Sequence, residues 1–153
     1  MKRGNILLSG MLLAVVSMTS QAACPDMSGS YQFSDTERIF YIMKIVDTEK
    51  YYVSLPSANG KYDLTQTLEL TPEERKSEGL PECALLIEGV GMLVKTKKGE
   101  KVNVTNQSQN YTNEKIITTE YGLTIFAGFA SDIIGVDKIS NRVPKEMIVD
   151  VSP

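Results

Sequence analysis

From Gly29 to Ile139 the chain runs in short stretches of alternating side-chain character. Each is broken within about ten residues by glycine, proline, asparagine or a charged pair, a rhythm that writes strands rather than long helices. A two-residue repeat puts neighbouring side chains on opposite faces, and a strand this short must share its apolar face with several others. Tyr31 and Phe33 alternate over residues 29–34. Residues 38–46 are apolar on both faces, with Ile39, Tyr41, Met43 and Ile45 on one and Phe40, Ile42 and Val46 on the other, which predicts a central strand. Residues 50–55 set Tyr51, Val53 and Leu55 against Tyr52 and Ser54. Residues 64–70 set Leu64, Leu68 and Leu70 against Thr65, Thr67 and Glu69. Between these two runs, Asn59-Gly60 predicts a type I′ hairpin turn, because both residue types accept positive φ.

Thr71-Pro72-Glu73-Glu74 then signals a helix start: Thr71 can cap, Pro72 suits the first turn and Glu74 stands at the capping-box position. Gly79 and Pro81 stop it after about two turns. Beyond Cys83 the strand pattern resumes over 84–88 and 90–96, with a bend at Gly89 and Gly91, and Lys97-Lys98-Gly99 reads as a hairpin tip. Further strands are expected over 101–107, 114–121, 123–129 and 133–139, the last two joined near Ser131-Asp132, with an edge strand over 147–151. Strand–helix–strand alternation is missing, and there is neither an internal repeat nor a domain linker. The expectation is a single all-β domain over 24–153. It would be a small antiparallel β-barrel of lipocalin-like size, up-and-down or Greek-key, or a β-sandwich, with one short helix.

The first 23 residues read as a cleavable signal peptide. Lys2 and Arg3 form a basic start, an apolar run extends from Ile6 to Met18, and Ser20-Gln21-Ala22-Ala23 offers small residues for cleavage after Ala22 or Ala23. The apolar run falls short of the roughly 20 residues a membrane-spanning helix needs, and no second one follows, so no transmembrane segment is expected after cleavage. The setting would be periplasmic or secreted. There, the two cysteines, Cys24 and Cys83, are most simply a disulfide. The alternative begins with Ala22-Ala23-Cys24, which resembles the end of a bacterial lipobox but has Gln21 where an aliphatic residue is usual. Lipidation of Cys24 would tether the domain to the outer membrane and leave Cys83 an unpaired thiol.

Charge and composition exclude several classes. The chain is acidic, at −3, and losing Lys2 and Arg3 with the leader makes the remainder more so. Nucleic acid is therefore not expected as a partner. The absence of histidine removes Ser–His–Asp and Cys–His activation together with the commonest transition-metal ligand. Gly89-Val90-Gly91 is half of a dinucleotide fingerprint, but Val94 occupies the third glycine's place and a strand bend explains it better. Tyr111 and Lys115 have a dehydrogenase-like spacing without the nucleotide-binding fold that chemistry requires. Asp47, Glu49, Glu69, Glu88, Asp132 and Asp137 are the acids available to a glycosidase pair, and no spacing singles out two of them. Asp47-Thr48-Glu49 reads as a turn. Asn103, Asn106 and Asn110 head glycosylation sequons in a polar, solvent-facing stretch. No catalytic residue, cofactor or metal is expected. Phe40, Tyr41, Tyr51, Tyr52 and the run 125–129 would line a ligand cavity or, more ordinarily, fill a core.

Ser57-Ala58-Asn59-Gly60-Lys61-Tyr62 resembles the Ser-Gly-containing loop, ending in Lys-Tyr or Arg-Tyr, of the bacterial inhibitors of C-type lysozyme. Thr96-Lys97-Lys98-Gly99 is similar to that family's second, Lys-Gly-containing loop. The resemblance implies a small exported β-barrel in which Ser57, Lys61 and Tyr62 belong to a loop entering the lysozyme cleft. In the family the second loop follows the first closely. Here a helix-like insertion and Cys83 intervene, and the Asn-Gly hairpin by itself accounts for half of the matching residues.

These readings converge on a non-catalytic binding protein of the bacterial envelope. It would hold a small apolar ligand or a protein partner, with Ser57, Asn59, Gly60, Lys61 and Tyr62 as the candidate partner-binding loop. The alternatives are a proteinaceous inhibitor like those of lysozyme and a lipid-anchored lipoprotein.

Overall fold

The computed structural model describes residues 24–106, 111–127 and 130–148. Among the described residues there are ten strands: β1 Gly29–Phe33, β2 Ile39–Lys44, β3 Tyr51–Pro56, β4 Tyr62–Gln66, β5 Leu85–Ile87, β6 Gly91–Lys95, β7 Glu100–Asn106, β8 Tyr111–Ile117, β9 Tyr121–Ala127 and β10 Ala130–Ser140. The helix α1 covers Pro72–Ser77 between β4 and β5, and a 3-10 turn covers Lys145–Met147. The capping box forms as its residues require. Thr71 Oγ1 accepts from Glu74 N at 3.2 Å, and Thr71 N donates to Glu74 Oε2 at 2.8 Å.

All pairings are antiparallel, in the order β4-β3-β2-β1-β10-β9-β6-β5. Around this circuit each strand neighbours the next in sequence once the β7–β8 hairpin is set aside, which is the connectivity of an up-and-down barrel. The hairpin is an excursion between β6 and β9, touching the circuit where Asn106 faces Ala130. Just past β4 the circuit meets β5. Leu68 N donates to Leu86 O and Glu88 N to Gln66 O, both at 2.9 Å, on either side of a bridge between Thr67 and Ile87. The sheet is thus nearly closed, and a barrel rather than a sandwich results.

A cluster of apolar side chains packs in the interior. Tyr31, Phe40, Ile42, Val53, Leu93, Leu123 and Val136 have almost no exposed surface, and Met27, Tyr51, Leu85, Ile87 and Tyr121 pack with them. The Tyr31 and Phe40 rings stack at 5.3 Å, and Tyr121 meets Tyr31 edge-on at 5.7 Å. Each such side chain contributes about 1.5–3 kcal/mol through its burial. Phe40 is therefore core, while Tyr51 belongs both to the core and to the lining of an open groove at the strap end.

Up-and-down connectivity sends successive loops to alternate ends. One end carries the β1–β2, β3–β4 and β5–β6 connections. The other carries the β2–β3 turn, α1, the β6–β7 tip and the N-terminal residues 24–28. Those N-terminal residues cross the second end as a strap. Met27 N donates to Tyr51 Oη at 3.3 Å, Met27 O accepts from Tyr31 Oη at 2.6 Å, and the Met27 side chain is buried. Cys24 is bonded to Cys83, 59 positions away, and anchors the strap beside α1.

Several expectations are corrected. The 64–70 run is inverted: Leu64 and Leu68 lie on the outside, 50% and 47% exposed, while Thr67 is turned in and buried. Thr67 Oγ1 accepts from Tyr51 N at 2.9 Å, which holds the register. The β3–β4 turn is not type I′, since Gly60 alone takes positive φ, +76°. Gly60 N donates to Ser57 O at 3.2 Å, a type I turn ahead of a glycine bulge. Residues 114–121 are not one strand. Thr119 Oγ1 donates to Tyr121 O at 2.7 Å and accepts from Val136 N at 3.0 Å, folding the chain between β8 and β9. Ser131 and Asp132 are not a turn but pair with Phe126 and Ile125 inside the β9–β10 ladder. Residues 147–148 form no strand: Met147 ends the 3-10 turn and Ile148 follows it. The leader over 1–23, the sequon positions 107–110, residues 128–129 and the rest of the 147–151 strand lie outside the described residues.

Candidate partner-binding site

The five residues 57–61 connect β3 to β4 at the end opposite the strap. Their polar side chains are bonded back into the loop. Ser57 N donates to Lys61 O at 2.8 Å. Asn59 Oδ1 accepts from Ser57 Oγ at 2.6 Å and from Lys61 N at 2.9 Å. Arg38, from the neighbouring β1–β2 loop, donates through Nη2 to Ser57 O at 2.6 Å. The loop is thus held by its own bonds and by one strut, while Ala58, Asn59, Gly60 and Lys61 remain exposed. The sequence foresaw the hairpin through Asn59-Gly60, but the Arg38 strut carried no local signal.

Tyr62 stands apart from that tip. Its hydroxyl donates to Ile39 O at 3.1 Å, and its ring lies 5.6 Å from that of Tyr41. Burial, with the neighbouring Tyr62 adding to it, pushes the Tyr41 hydroxyl above its ordinary value. On the outer face, Tyr41 is opposite Ser54 and Ser54 is opposite Leu64, so Tyr41, Tyr62 and Leu64 continue one apolar patch below the loop. The chain's later part returns towards this face: Ser30 Oγ donates to Arg142 O at 2.6 Å, and the negative charge of Glu146 adds to the upward shift of Tyr41.

The second loop of the resemblance, Thr96-Lys97-Lys98-Gly99, lies at the strap end of the barrel. Glu100 N donates to Lys97 O at 2.9 Å and Lys97 N to Glu100 Oε2 at 3.1 Å, closing that turn. The two loops therefore face away from one another and do not converge on one cleft.

The acids named from the sequence lie on separate elements, and Glu49, Asp132 and Asp137 have structural partners. Asp47 occupies a positive-φ position in the β2–β3 turn, and Glu49 pairs with Lys44 at 3.6 Å. Asp132 pairs with Lys115 at 3.2 Å and accepts from Ile133 N at 2.7 Å. Asp137 accepts from Glu120 N at 3.0 Å, while Glu69 and Glu88 are exposed. Gly89 and Gly91 form the expected bend, and a side chain at Gly91 would run into the Thr124 carbonyl. Among the described residues, no three or more metal-ligating side chains come together, and no helix is long and apolar enough to cross a membrane.

An open groove of about 1260 Å³ lies between α1 and the strap end. Its walls mix Leu68, Leu80 and Pro81 with Glu49, Arg75 and Glu82. The Cys24–Cys83 bond beside it suits an oxidising, non-cytoplasmic setting. Compared with known protein families, curated proteins and solved structures, the chain matches none.

Proposed function

We propose that the protein is an exported, non-catalytic binding module of the bacterial envelope, and that its partner is a protein met at the 57–61 loop. The supporting observation is the order of that loop above a packed core cluster. With Tyr31, Phe40, Val53 and Leu123 packed through the interior, the polar recognition element left at the free end is a loop already ordered by Asn59 and Arg38. Such a loop loses little conformational freedom on binding, which favours affinity. The acidic balance of the chain favours a basic partner.

A small apolar ligand is the weaker reading, because Phe40, Val53 and Leu123 pack in the interior and the open groove beside α1 has Glu49, Arg75 and Glu82 in its walls. The lipid-anchored reading is weaker still, because Cys24 Sγ is committed to Cys83 and a sulfur so bonded carries no thioether. A lysozyme inhibitor is the best-defined form of the proposal, and it would act through the 57–61 loop alone. Titration calorimetry and lytic assays against several lysozyme classes test it. Micromolar binding weakened by Asn59→Ala supports the loop as the contact. Failure to bind any lysozyme removes this form of the proposal.

A further inference from the structure

The β3–β4 hairpin extends beyond the seam with β5, and its outer strand has an open edge. In an antiparallel ladder, hydrogen bonds to one neighbour use every second residue. Ser57 N donates to Lys61 O and Thr67 N to Tyr51 O, so Lys61, Asp63, Thr65 and Thr67 address β3. Tyr62, Leu64 and Gln66 point their backbone groups the other way. Gln66 O is taken by Glu88 N. Among the described residues, no strand lies beside Tyr62 and Leu64. An open edge with Tyr62 39% and Leu64 50% exposed on its outer face is a template for another strand.

We infer that this edge pairs antiparallel with the same edge of a second copy of the chain, about a two-fold axis at Tyr62. The charges flanking Tyr62 select this occupant and its register. With Tyr62 opposite Tyr62, Lys61 of each copy faces Asp63 of the other, so the symmetry makes the favourable pair twice. The alternative register, with Tyr62 opposite Leu64, sets Asp63 against Asp63. In the favoured register the outer apolar faces carrying Tyr41, Tyr62 and Leu64 join across the new ladder. The bland account of Lys61 is that it guards the edge and keeps the chain single. The inference goes beyond the partner reading above, and its readout needs no partner.

Sedimentation equilibrium of the disulfide-bonded protein, from micromolar to millimolar concentration, tests it. A monomer–dimer equilibrium is expected. Lys61→Asp or Asp63→Lys alone should weaken it about tenfold, since each places like charges in both cross-strand pairs. The double exchange Lys61→Asp with Asp63→Lys restores opposite charges and should restore the dimer, with circular dichroism confirming that all variants fold. A monomer at every concentration overturns the inference. So does a dimer that the double exchange fails to restore, or an edge that takes up only an unrelated extended peptide.

Discussion

The two ends of the barrel are built on opposite plans. At the strap end, Met27 is held by two tyrosine hydroxyls, Thr67 is turned into the core, and Cys24–Cys83 fixes the strap beside α1. At the loop end, the 57–61 turn stands on its own hydrogen bonds and one arginine strut, and β4 runs past its last barrel neighbour. The first end has long-range covalent and buried contacts, while the second has local contacts and exposed surface. The stabilising contacts and the proposed recognition loop thereby lie at different places, the arrangement of a rigid scaffold that carries a binding loop.

The contrast breaks most sharply at the disulfide. Replacing Cys24 and Cys83 by serine removes a cross-link over 59 positions and should cost about 4 kcal/mol by loop-closure entropy, read from urea unfolding. Met27→Ala should cost about 3 kcal/mol, because it empties a buried site that its neighbours cannot fill. Thr67→Val keeps the shape but leaves Tyr51 N without its acceptor, for about 2 kcal/mol. If any of these three leaves the melting temperature unchanged, the strap end is not the stabilising end.

Alkali offers a milder probe of the same end. Burial, reinforced by Tyr121 and Tyr51 nearby, pushes the Tyr31 hydroxyl far above its ordinary value of 10.0. The folded state therefore keeps a proton that the unfolded state gives up. This contribution is intact below pH 10.0 and is lost as pH rises beyond it. Thermal melts taken into alkali should fall with pH, and less steeply in Tyr31→Phe. The smallest effect belongs to the loop end: Leu64→Ser, on the outer face, should change stability by less than about 0.5 kcal/mol. A larger loss in dilute solution would mean that Leu64 packs within the monomer.

Much of the scaffold was legible because its signals are local. Tyr31, Phe40, Ile42 and Val53 stand at alternating positions and all point inward. Thr71 and Glu74 formed their capping box as written, because both partners lie within one helical turn. Pattern failed where one residue answered to a distant one. Leu64 and Leu68 alternate like a core face, yet Thr67 is the one turned inward, where it accepts from Tyr51 N. Thr119 broke an apparent strand because its hydroxyl reaches the β10 backbone at Val136. The candidate loop was found through Asn59-Gly60, but its turn type, its strut and its distance from the Lys97-Lys98-Gly99 tip belong to the assembled barrel.

The sequence by itself determined that this chain folds mostly into β-strands, that its only two cysteines are suited to a bridge, and that a hairpin tip lies at Asn59-Gly60. Alternation, cysteine count and turn chemistry are properties of neighbouring residues or of bare composition. Tertiary structure decided barrel over sandwich, the inward face of β4, the burial of Met27 at one end and the open edge at Tyr62. Each of these depends on which strands meet and how much space they leave, a matter of long-range closure and volume that local periodicity does not encode.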